Sequence, residues 1–587
     1  MPDTLDTPIA RHIWDQRYRD QARETSIADT WRRIADTVAG TERTERAAWR
    51  DRFAAILHDF QFLPAGRIQA GSGVRQRVSL FNCFVMGLIE DSIDGIFRAL
   101  REGALTMQQG GGVGYDFSTL RPSGSHAHGS AGVASGPVSF MDVWDAMCGT
   151  IQSTGARRGA MMATLRIDHP DIDAFITAKQ RAGRLRHFNL SVQVSDAFMQ
   201  ALASDADWPL MFPAAGLDGT GELLTRDWPG ASGPVPCRVA RRVSARHLWD
   251  RLLHASYAHG EPGVLFIDRI NRMNNLWYCE RISATNPCGE VPLPPFGACD
   301  LGSINLTRLI REPFTPNARF DQERLLEIIP CAVRLLDDVI DVSRFPLRRQ
   351  RAATMRARRI GLGVTGLADA LIMLGLHYDS DAARDFASAT MRAICQAAYR
   401  ASIALAREKG SFPAFDRDRY LAGPFIAALP ADIRDGIARE GIRNSHLTAI
   451  APTGTISLLA GDVSSGIEPI FAPDQRRTVL DRTGRPQSFH LTDYAVRLWR
   501  EANGRTDGAP PDAVAAADLS IEAHLDMQAA LQAHVDNAIS KTIHVPANCD
   551  FARFADVYRL AYEKGLKGCT TFRPTATTAA VMHASAA

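Results

Sequence analysis

The stretch Asn189-Leu190-Ser191-Val192-Gln193-Val194-Ser195-Asp196 shows the structural unit from which this chain is built. Apolar and polar residues alternate up to residue 194, and this pattern predicts a half-buried strand. Ser195 and Asp196 follow at once, and both are typical of the cap at which a helix begins. The stretch therefore predicts a strand that leads directly into a helix.

The same unit recurs along the chain. Short apolar runs predict buried strands at 263–267 and 360–364. Longer periodic stretches predict helices at 322–342 and 382–409, and Gly410 ends the second of these helices. Strands and helices that alternate over roughly 500 residues favour one large α/β domain, with a barrel as its expected form. Residues 1–62 carry helical periodicity alone, so we expect an N-terminal helical module, followed by the α/β domain over 63–574.

Composition excludes several classes of protein. The 587 residues are 45% hydrophobic and 22% charged, as in ordinary globular proteins, and the net charge is +2. Such a small charge, without any run of Lys and Arg, gives no electrostatic reason to expect a nucleic-acid partner. No apolar run reaches the ~18 residues of a membrane span, and the N-terminus is too acidic for a signal peptide. We expect a cytoplasmic protein without a membrane partner, and a frayed tail over 575–587.

The cysteines do not predict a metal site. Ten are spread along the chain, at positions 83, 148, 237, 279, 288, 299, 331, 395, 549 and 569. They form no Cys-x-x-Cys pair and no Cys/His cluster with zinc spacing, so no metal site is expected. In a reducing cytoplasm most of these thiols should be buried and inert, and we expect any disulfide to be catalytic.

The pentapeptide Asn286-Pro287-Cys288-Gly289-Glu290 places an amide, a thiol and a carboxylate at every second position. In an extended segment alternate side chains share a face, so the three could converge on one substrate, and the proline makes a helix unfavourable. Cys299 follows eleven positions after Cys288. A thiol beside an acid/base carboxylate, with a second thiol nearby, suggests sulfur-centred redox chemistry. A Pro-Cys-Gly turn with a capping Asn and a solvated Glu is the alternative.

Two loops of small residues indicate an anion site. Ala451-Pro452-Thr453-Gly454-Thr455-Ile456-Ser457 lies between an apolar run and a helix start, where backbone N–H groups and the positive end of a helix dipole are available. It lacks the lysine of a Walker loop, and an ordinary helix cap is the alternative. The stretch Ser464–Phe471 is a second small-residue turn soon after it. Two such loops so close together favour a ligand cradle.

Two further stretches suggest ligand contacts. The run Gly110-Gly111-Gly112-Val113-Gly114 does not match the dinucleotide fingerprint, so close approach of the backbone to a ligand is the better interpretation. Adjacent arginines at 157 and 158 lie in a small-residue loop, where they could bind a phosphate or a base edge. A solvated loop is the alternative for the arginines.

Taken in order, these stretches resemble the catalytic subunit of ribonucleotide reductases, and most of all the dimeric, adenosylcobalamin-dependent class II branch. The resemblance covers roughly residues 60 to 575 and rests on these stretches: 81–85, 110–122, 135–140, 157–158, 286–306, 451–457 and 464–471. It implies a ten-stranded α/β barrel of the ribonucleotide reductase and glycyl radical enzyme type. It also implies reduction of ribonucleotides, with ribonucleoside diphosphates expected, to 2′-deoxyribonucleotides for DNA synthesis.

The resemblance implies a role for each site residue. A thiyl radical at Cys288 would take the 3′-hydrogen, Glu290 would accept the 3′-hydroxyl proton, and Asn286 would hydrogen-bond the ribose. Cys83 and Cys299 would supply two electrons by forming a disulfide. Substrate contacts are implied for Asn82, Gly112, Pro452, Thr453, Gly454, Thr455, Ile456 and Ser457. Contacts to a specificity effector near a dimer interface are implied for Asp91, Arg157 and Arg158.

Two sequence signals that are missing indicate the source of the radical. Relatives that import a radical from a second subunit carry two adjacent tyrosines near the end of the barrel, and Gly568–Arg573 has none. The glycyl-radical sequence of the anaerobic branch is also missing. Adenosylcobalamin is therefore the expected cofactor. The alternatives are a catalytic subunit that depends on a separate radical-generating subunit, and a non-catalytic nucleotide-binding homologue.

The resemblance also implies partners: a homodimer, (d)NTP specificity effectors, and a thioredoxin-like or other thiol reductant. Relatives usually carry a C-terminal cysteine pair that passes electrons to the active-site disulfide, and this sequence has no such pair. The route by which the disulfide is reduced again therefore stays open.

Overall fold

Strands and helices alternate along most of the chain in the computed structural model. The structure describes residues 5–76, 78–126, 132–151, 159–181, 183–217, 219–481 and 484–574, together with the backbone of 582–584. The strands in these residues are β1 Phe62–Pro64, β2 Cys83–Val85, β3 Gly112–Asp116, β4 Met161–Arg166, β5 Phe188–Val194, β6 Asp207–Pro213, β7 Leu223–Arg226, β8 Val235–Ser244, β9 Gly263–Phe266, β10 Ala284–Thr285, β11 Pro292–Leu293, β12 Ala298–Asn305, β13 Ile310–Arg311, β14 Arg319–Phe320, β15 Ile360–Thr365, β16 Asp474–Leu480, β17 Pro486–Thr492, β18 Thr542–His544, β19 Gly568–Phe572 and β20 Met582–Ala584.

The α-helices form the outer layer and the N-terminal region. In the described residues they are α1 Pro8–Ile13, α2 Ile27–Val38, α3 Arg46–Leu57, α4 Gly66–Gly71, α5 Ile93–Gln108, α6 Pro137–Thr150, α7 Ile172–Ile176, α8 Asp196–Ala203, α9 Ala245–His259, α10 Ile267–Arg272, α11 Gln322–Val342, α12 Arg348–Ala357, α13 Leu367–Met373, α14 Asp381–Lys409, α15 Arg417–Leu421, α16 Pro424–Ala427, α17 Ala431–Glu440, α18 Gly454–Leu459, α19 Tyr494–Asn503, α20 Ile521–Gln532, α21 Phe551–Phe554 and α22 Val557–Glu563. Within the described residues no helix combines the length and apolar character needed to cross a bilayer.

The main sheet closes into a barrel made of two parallel halves. In the first half β2, β3, β4, β5 and β9 lie side by side and parallel. In the second half β12 pairs with β15 and β18 pairs with β19, again in parallel. Residues 447–450 lie between these pairs, because Thr448 bridges Leu362 of β15 and Ile450 bridges Ile539, just before β18. The antiparallel pairs β2–β12 and β9–β19 join the halves, and β1 is an additional strand on β12.

The opposite directions of the two halves bring chain segments that are distant in sequence to one end of the barrel. Cys83 and Gly112 begin β2 and β3 in the first half, whereas Thr365 ends β15 in the second. Thr453 follows the bridging segment at 447–450. Strand starts of one half and strand ends of the other therefore share a single mouth.

A narrow hairpin, β10 with β11, runs through the middle of the barrel and connects its halves. Glycines of β3 make room for it. A Cβ atom at Gly114 would lie 1.8 Å from the carbonyl oxygen of Thr285, and one at Gly112 would lie 3.1 Å from Cγ of Pro287. The close approach predicted from the glycine run is thus made to this hairpin, and the contact between Gly112 and a substrate stays a prediction.

The observed elements agree with the strand and helix predictions within one or two residues. The predicted strand at 189–194 is β5, and Ser195 caps α8 by accepting the N–H of Phe198 at 3.2 Å. The predicted helices at 322–342 and 382–409 are α11 and α14. Residues 1–62 contain α1, α2 and α3, while the exact boundaries of the module and the barrel stay predictions.

The C-terminal segment differs in part from the frayed tail that was expected. The backbone of Met582–Ala584 pairs antiparallel with β16, which also pairs with β17. The other residues of 575–587 lie outside the described ranges.

Candidate active site

The pentapeptide 286–290 forms a turn at the tip of the central hairpin. The N–H of Gly289 donates to the carbonyl oxygen of Asn286 at 3.1 Å, and Gly289 has φ 83°. Pro287 suits this turn because its ring fixes φ near the value that the second turn position requires. The extended geometry predicted from the spacing is wrong, and the turn alternative describes the backbone. The turn nevertheless brings Asn286 and Glu290 together. It reverses the chain between residues 286 and 289, so that Glu290, directly after the turn, lies beside Asn286.

Asn286, Glu290 and Cys83 form one hydrogen-bonded cluster. The amide nitrogen Nδ2 of Asn286 donates to Oε2 of Glu290 at 2.8 Å and to Sγ of Cys83 at 3.2 Å. The thiol of Cys83 lies 3.7 Å from Oε1 of Glu290, to which it donates. Oδ1 of Asn286 accepts the N–H of Val291 at 3.0 Å. Because the side chains of Asn286 and Glu290 are almost fully buried, these bonds hold the carboxylate in one orientation.

Cys83 and Cys299 face each other across the antiparallel pair of β2 and β12. Facing residues of such a pair have Cα atoms about 4.5–5.5 Å apart, within the range that a disulfide spans. Both residues are buried, whereas Cys288 at the tip of the hairpin is exposed. The structure therefore brings the three predicted thiols to one site but in two different environments.

Burial controls the protonation of the paired thiols. Burial, followed by the negative charges of Glu290 and of the Cys288 thiolate form, raises the pKa of Cys83 well above its usual range. Burial and the neighbouring Asp300 raise the pKa of Cys299 in the same way. Both groups are therefore thiols rather than thiolates at neutral pH, and each can donate a proton.

Asp300 is a buried acid on the strand that carries Cys299. In the described part of the chain neither of its carboxyl oxygens has a hydrogen-bond partner. Burial raises the pKa of Asp300 well above its usual range. Its side chain points to the other face of β12 from that of Cys299, because neighbouring residues of a strand alternate.

Asn82 and Gly112 lie beside the reaction cluster at the barrel mouth. The N–H of Gly112 donates to the carbonyl oxygen of Asn82 at 2.8 Å. The side-chain Oδ1 of Asn82 accepts the N–H of Arg67 at 3.2 Å, so this amide is already oriented. Their proposed substrate contacts stay predictions.

The predicted phosphate loop at 451–457 lies at the same mouth and contacts the second small-residue turn. Thr453 has φ 53°, and α18 begins at Gly454 directly after it. Its Oγ1 accepts the N–H of Gly466 at 2.8 Å and lies 2.9 Å from Oγ1 of Thr365. Ser457 Oγ lies 3.2 Å from Ser465 Oγ. The hydroxyl groups of Thr453 and Ser457 thus tie the two loops together, and Pro452, Thr455 and Ile456 complete the segment.

Sequence reasoning did not identify the buried polar residues that support these loops. Asp369 accepts the N–H of Ser464 at 2.5 Å, and Lys541, with a fully buried side chain, pairs with Glu468 at 2.8 Å. Each partner lies about 70 to 100 residues away in the chain, and no short-range spacing announces such a pair. Buried charge in an otherwise apolar stretch is the only signal that the sequence offers.

Of the three predicted effector residues, the structure describes only Asp91. Asp91 precedes α5 and accepts the Nε–H of Arg121 at 2.8 Å and the backbone N–H of Arg121 at 3.1 Å. The other two, Arg157 and Arg158, lie outside the described residues. On the exposed side of α5, Ile93 is 63% and Phe97 is 49% exposed.

Family models match nearly the whole chain. The model described as ribonucleotide reductase, barrel domain, matches residues 81–572, and the model described as ribonucleotide reductase, all-alpha domain, matches residues 4–77. Both matches confirm the predicted fold class, a barrel of this type that follows a helical N-terminal region.

Curated relatives are similar over most of their length. A vitamin B12-dependent ribonucleoside-diphosphate reductase from Mycobacterium tuberculosis (strain CDC 1551 / Oshkosh) is 40% identical over 543 residues, which cover 89% of this chain and 72% of the relative. A protein of the same name from Thermoplasma acidophilum is 34% identical, over 99% of this chain and 72% of the relative. The ribonucleoside-diphosphate reductase large subunit of Caenorhabditis elegans is 30% identical, over 84% of this chain and 66% of the relative.

Proposed function

The chain belongs to the ribonucleotide reductase large-subunit family, and we propose that it reduces ribonucleoside diphosphates to 2′-deoxyribonucleoside diphosphates with adenosylcobalamin as cofactor. One observation carries the proposal: the buried cluster of Asn286, Glu290 and Cys83, with Cys299 on the facing strand. A carboxylate, an amide and two protonated thiols are the groups that removal of a ribose hydroxyl requires. They lie together although they come from three separate parts of the chain.

The space around Cys288 fits a bulky radical-generating cofactor. Cys288 is exposed, and apart from Gly289 itself and its two chain neighbours no heavy atom of the described residues lies within 4 Å of the point where a Cβ on Gly289 would be. When bound, adenosylcobalamin supplies a radical able to take the hydrogen atom of a thiol. Cys288 is the thiol of the site that such a group can reach without displacing the hairpin.

The first step on the substrate uses Cys288 and Glu290. A thiyl radical on Sγ of Cys288 takes the 3′-hydrogen atom of the ribose, which restores the thiol and leaves a radical on C3′. The carboxylate of Glu290 accepts the proton of the 3′-hydroxyl. Its Oε2 is already held by Asn286 at 2.8 Å, so the base is oriented before the substrate binds.

The second step uses the buried thiols. The 2′-hydroxyl takes a proton from the Cys83 thiol and leaves as water. Cys83 and Cys299 then supply two electrons and the remaining proton to C2′ as the bond between their sulfur atoms forms. Glu290 returns its proton to the 3′-oxygen, and Cys288 returns a hydrogen atom to C3′. In the net reaction a C–O bond becomes a C–H bond, one water leaves, and two thiols become one disulfide.

The loop at 451–457 is the site that we assign to the substrate phosphates. It lies at the same barrel mouth as Cys83 and Gly112, and the first turn of α18 directs backbone N–H groups out of the loop. Asn82, Gly112, Pro452, Thr453, Gly454, Thr455, Ile456 and Ser457 make up the proposed substrate contacts.

The same proposal extends to partners and location. We assign Asp91, Arg157 and Arg158 to a (d)NTP effector site at a homodimer interface, which the exposed apolar side of α5 supports. A thioredoxin-like protein or another thiol would reduce the disulfide of Cys83 and Cys299. A cytoplasmic location suits this chemistry because reduced thiols are maintained there.

Incubation of the purified chain with CDP, a dithiol and adenosylcobalamin tests the function. We expect dCDP to form together with a cob(II)alamin-coupled radical signal in electron paramagnetic resonance. Turnover that appears only after a second subunit is added would replace this proposal with the partner-dependent class. No turnover under either condition would favour a nucleotide-binding homologue without catalysis.

A further inference from the structure

Asp369, in α13, is a fully buried acid that holds the second small-residue loop. Its Oδ2 accepts the N–H of Ser464 at 2.5 Å, and its Oδ1 accepts the N–H of Ala495 at 2.9 Å. In return, the backbone N–H of Asp369 donates to Oγ of Ser464 at 3.2 Å. Asp369 therefore fixes both the backbone and the side chain of Ser464.

Asp493 is a second buried acid that meets the first. It lies immediately before α19, is 4% exposed, and its Oδ1 accepts the N–H of Ala495 at 3.2 Å and that of Val496 at 3.4 Å. Since Ala495 donates to both carboxyl groups, Asp369 and Asp493 converge on one amide. The two oxygens that accept from this N–H, Oδ1 of Asp369 at 2.9 Å and Oδ1 of Asp493 at 3.2 Å, are therefore close neighbours.

Two carboxyl groups this close in a buried site share one proton, because two adjacent negative charges out of water are too costly. Burial, followed by the charge of Asp369, raises the pKa of Asp493 well above its usual range. Asp369 is the better carboxylate because both of its oxygens accept backbone N–H groups. Asp493 therefore carries the proton and donates it to Asp369.

Three other charged groups, Asp462, Arg477 and Arg497, affect the electrostatics around this pair of acids. Asp462 lies on the loop that precedes Ser464, and burial raises its pKa to about 7. Arg477 on β16 and Arg497 on α19 act on Asp462 with opposite charge. The negative charge of Asp462 further raises the pKa of Asp493, so the neighbourhood favours the protonated form of that acid.

The anchored loop in turn sets the position of Thr453. The carbonyl oxygen of Ser464 accepts the hydroxyl of Thr365 at 3.0 Å, and the N–H of Gly466 donates to Oγ1 of Thr453 at 2.8 Å. Thr453 has φ 53°, a backbone conformation that a β-branched residue adopts only when its surroundings hold it. The hydrogen bonds that Thr453 Oγ1 makes with the Thr365 hydroxyl and with the N–H of Gly466 supply that constraint.

We propose that Asp369 and Asp493 are positioning residues that share one proton and hold the 451–457 loop in the shape that binds the substrate phosphates. The inference rests on the proposed function, because that function assigns the loop to the phosphates. Neither acid contacts the substrate. Their effect travels through Ser464 and Gly466 to Thr453.

Asp493→Asn and Asp369→Asn are both isosteric substitutions, but they differ in the hydrogen bonds that they preserve. A comparison of the two variants tests the proposal. Asp493→Asn keeps a donor toward Asp369 and an acceptor toward Ala495, so we expect the KM for CDP to stay within about twofold of wild type. Asp369→Asn keeps only one acceptor for two N–H donors and faces one of them with its NH₂ group. We expect it to raise the KM about tenfold or more while kcat changes by less than about threefold.

Asp493→Ala provides a second series in case Asp369→Asn does not fold. It removes the donor to Asp369, so we expect a KM between those of the two Asn variants, and rescue when residue 493 is Asn instead of Ala. Equal KM values for Asp493→Ala and Asp493→Asn would overturn the proposal. An Asp493→Asn variant as impaired as Asp369→Asn would overturn it too, because the two acids would then be equivalent.

Measurements that need no turnover separate this inference from the proposed function. In infrared difference spectra at pH 7, wild type minus Asp493→Asn should show the C=O stretch of a protonated carboxylic acid, and its absence would overturn the shared proton. Hydrogen exchange at residues 464–466 should be faster in Asp369→Asn than in Asp493→Asn. If wild type shows this band and exchange pattern but makes no dCDP, the proposed function fails while the acid pair stands.

Discussion

Cysteines lie in two different environments at the tip of the central hairpin and at the seam, the antiparallel pair of β2 and β12 that joins the two halves of the barrel. Cys288 at the tip is exposed, whereas Cys83 and Cys299 at the seam are buried and their pKa values are raised by burial. A reachable thiol can give up a hydrogen atom to a cofactor, and a buried protonated pair can donate protons and form a disulfide. In the proposed mechanism, exposure to solvent rather than residue type therefore distinguishes the role of Cys288 from that of the other two cysteines.

Removal of the tip thiol should have the largest effect. Cys288→Ala leaves no group to form the thiyl radical, so we expect dCDP formation to fall about 10⁴-fold or more. Product assay with CDP, dithiol and adenosylcobalamin measures the loss. Cys549→Ala, which removes another partly exposed thiol, is the matched control and should retain wild-type activity. Residual turnover well above background in Cys288→Ala would remove this residue from its role.

Removal of one seam thiol should abolish turnover in a different way. Without reductant, wild type should form about one dCDP per active site and lose two titratable thiols, because Cys83 and Cys299 become a disulfide. Cys83→Ser and Cys299→Ser cannot form that bond, so we expect neither the product nor the loss of thiols. Thiol titration after quenching, with Cys395→Ser as control, measures this. Loss of two thiols in either seam variant would assign the electrons to another pair.

The carboxylate between tip and seam should have a smaller effect. Glu290→Gln keeps an acceptor oxygen for Asn286 or Cys83 but cannot take the 3′-hydroxyl proton. We expect kcat to fall about 10²- to 10⁴-fold, with a KM near that of wild type. Steady-state assays measure both constants. If KM rises while kcat is unchanged, Glu290 binds the substrate and is not the base.

The smallest effect is on stability in alkaline solution. The seam thiols have raised pKa values in the folded state, so the unfolded chain loses these protons first as the pH rises above about 9. Their contribution to the free energy of unfolding is therefore complete below pH 9 and declines above it. Urea titrations from pH 7 to 10 should show a steeper decline for reduced wild type than for the Cys83→Ser/Cys299→Ser variant. Parallel declines would mean that burial does not raise these pKa values.

The sequence predicted the elements of the fold better than the geometry within the site. Alternation of apolar residues and a Ser cap are local signals, so β5, α8, α11 and α14 could be located within one or two residues. The convergence of the Asn286 and Glu290 side chains could also be predicted. Their extended backbone could not, because the Gly289 turn depends on the barrel that encloses it.

Long-range polar pairs were beyond prediction for a physical reason. Asp369 and Asp493 have no recognisable spacing, and each lies in a different helical unit. The shared proton that we propose for them depends on the burial of both carboxyl groups beside two backbone N–H donors, and only the folded chain brings these groups together. The resemblance suggested which residues contact the substrate, but the groups that hold those residues in place became visible only in three dimensions.

The seam between β2 and β12 has a mechanical consequence. Its facing cysteines lie roughly 200 residues apart in the chain, and a bond that closes a loop of that length lowers the entropy of the unfolded chain by an amount equivalent to about 5 kcal/mol. Each catalytic cycle would therefore link the two halves of the barrel covalently when the disulfide forms, and remove the link when the disulfide is reduced. The oxidised enzyme should be the more heat-resistant form. The melting temperature would then report the fraction of molecules in which Cys83 and Cys299 are joined by a disulfide.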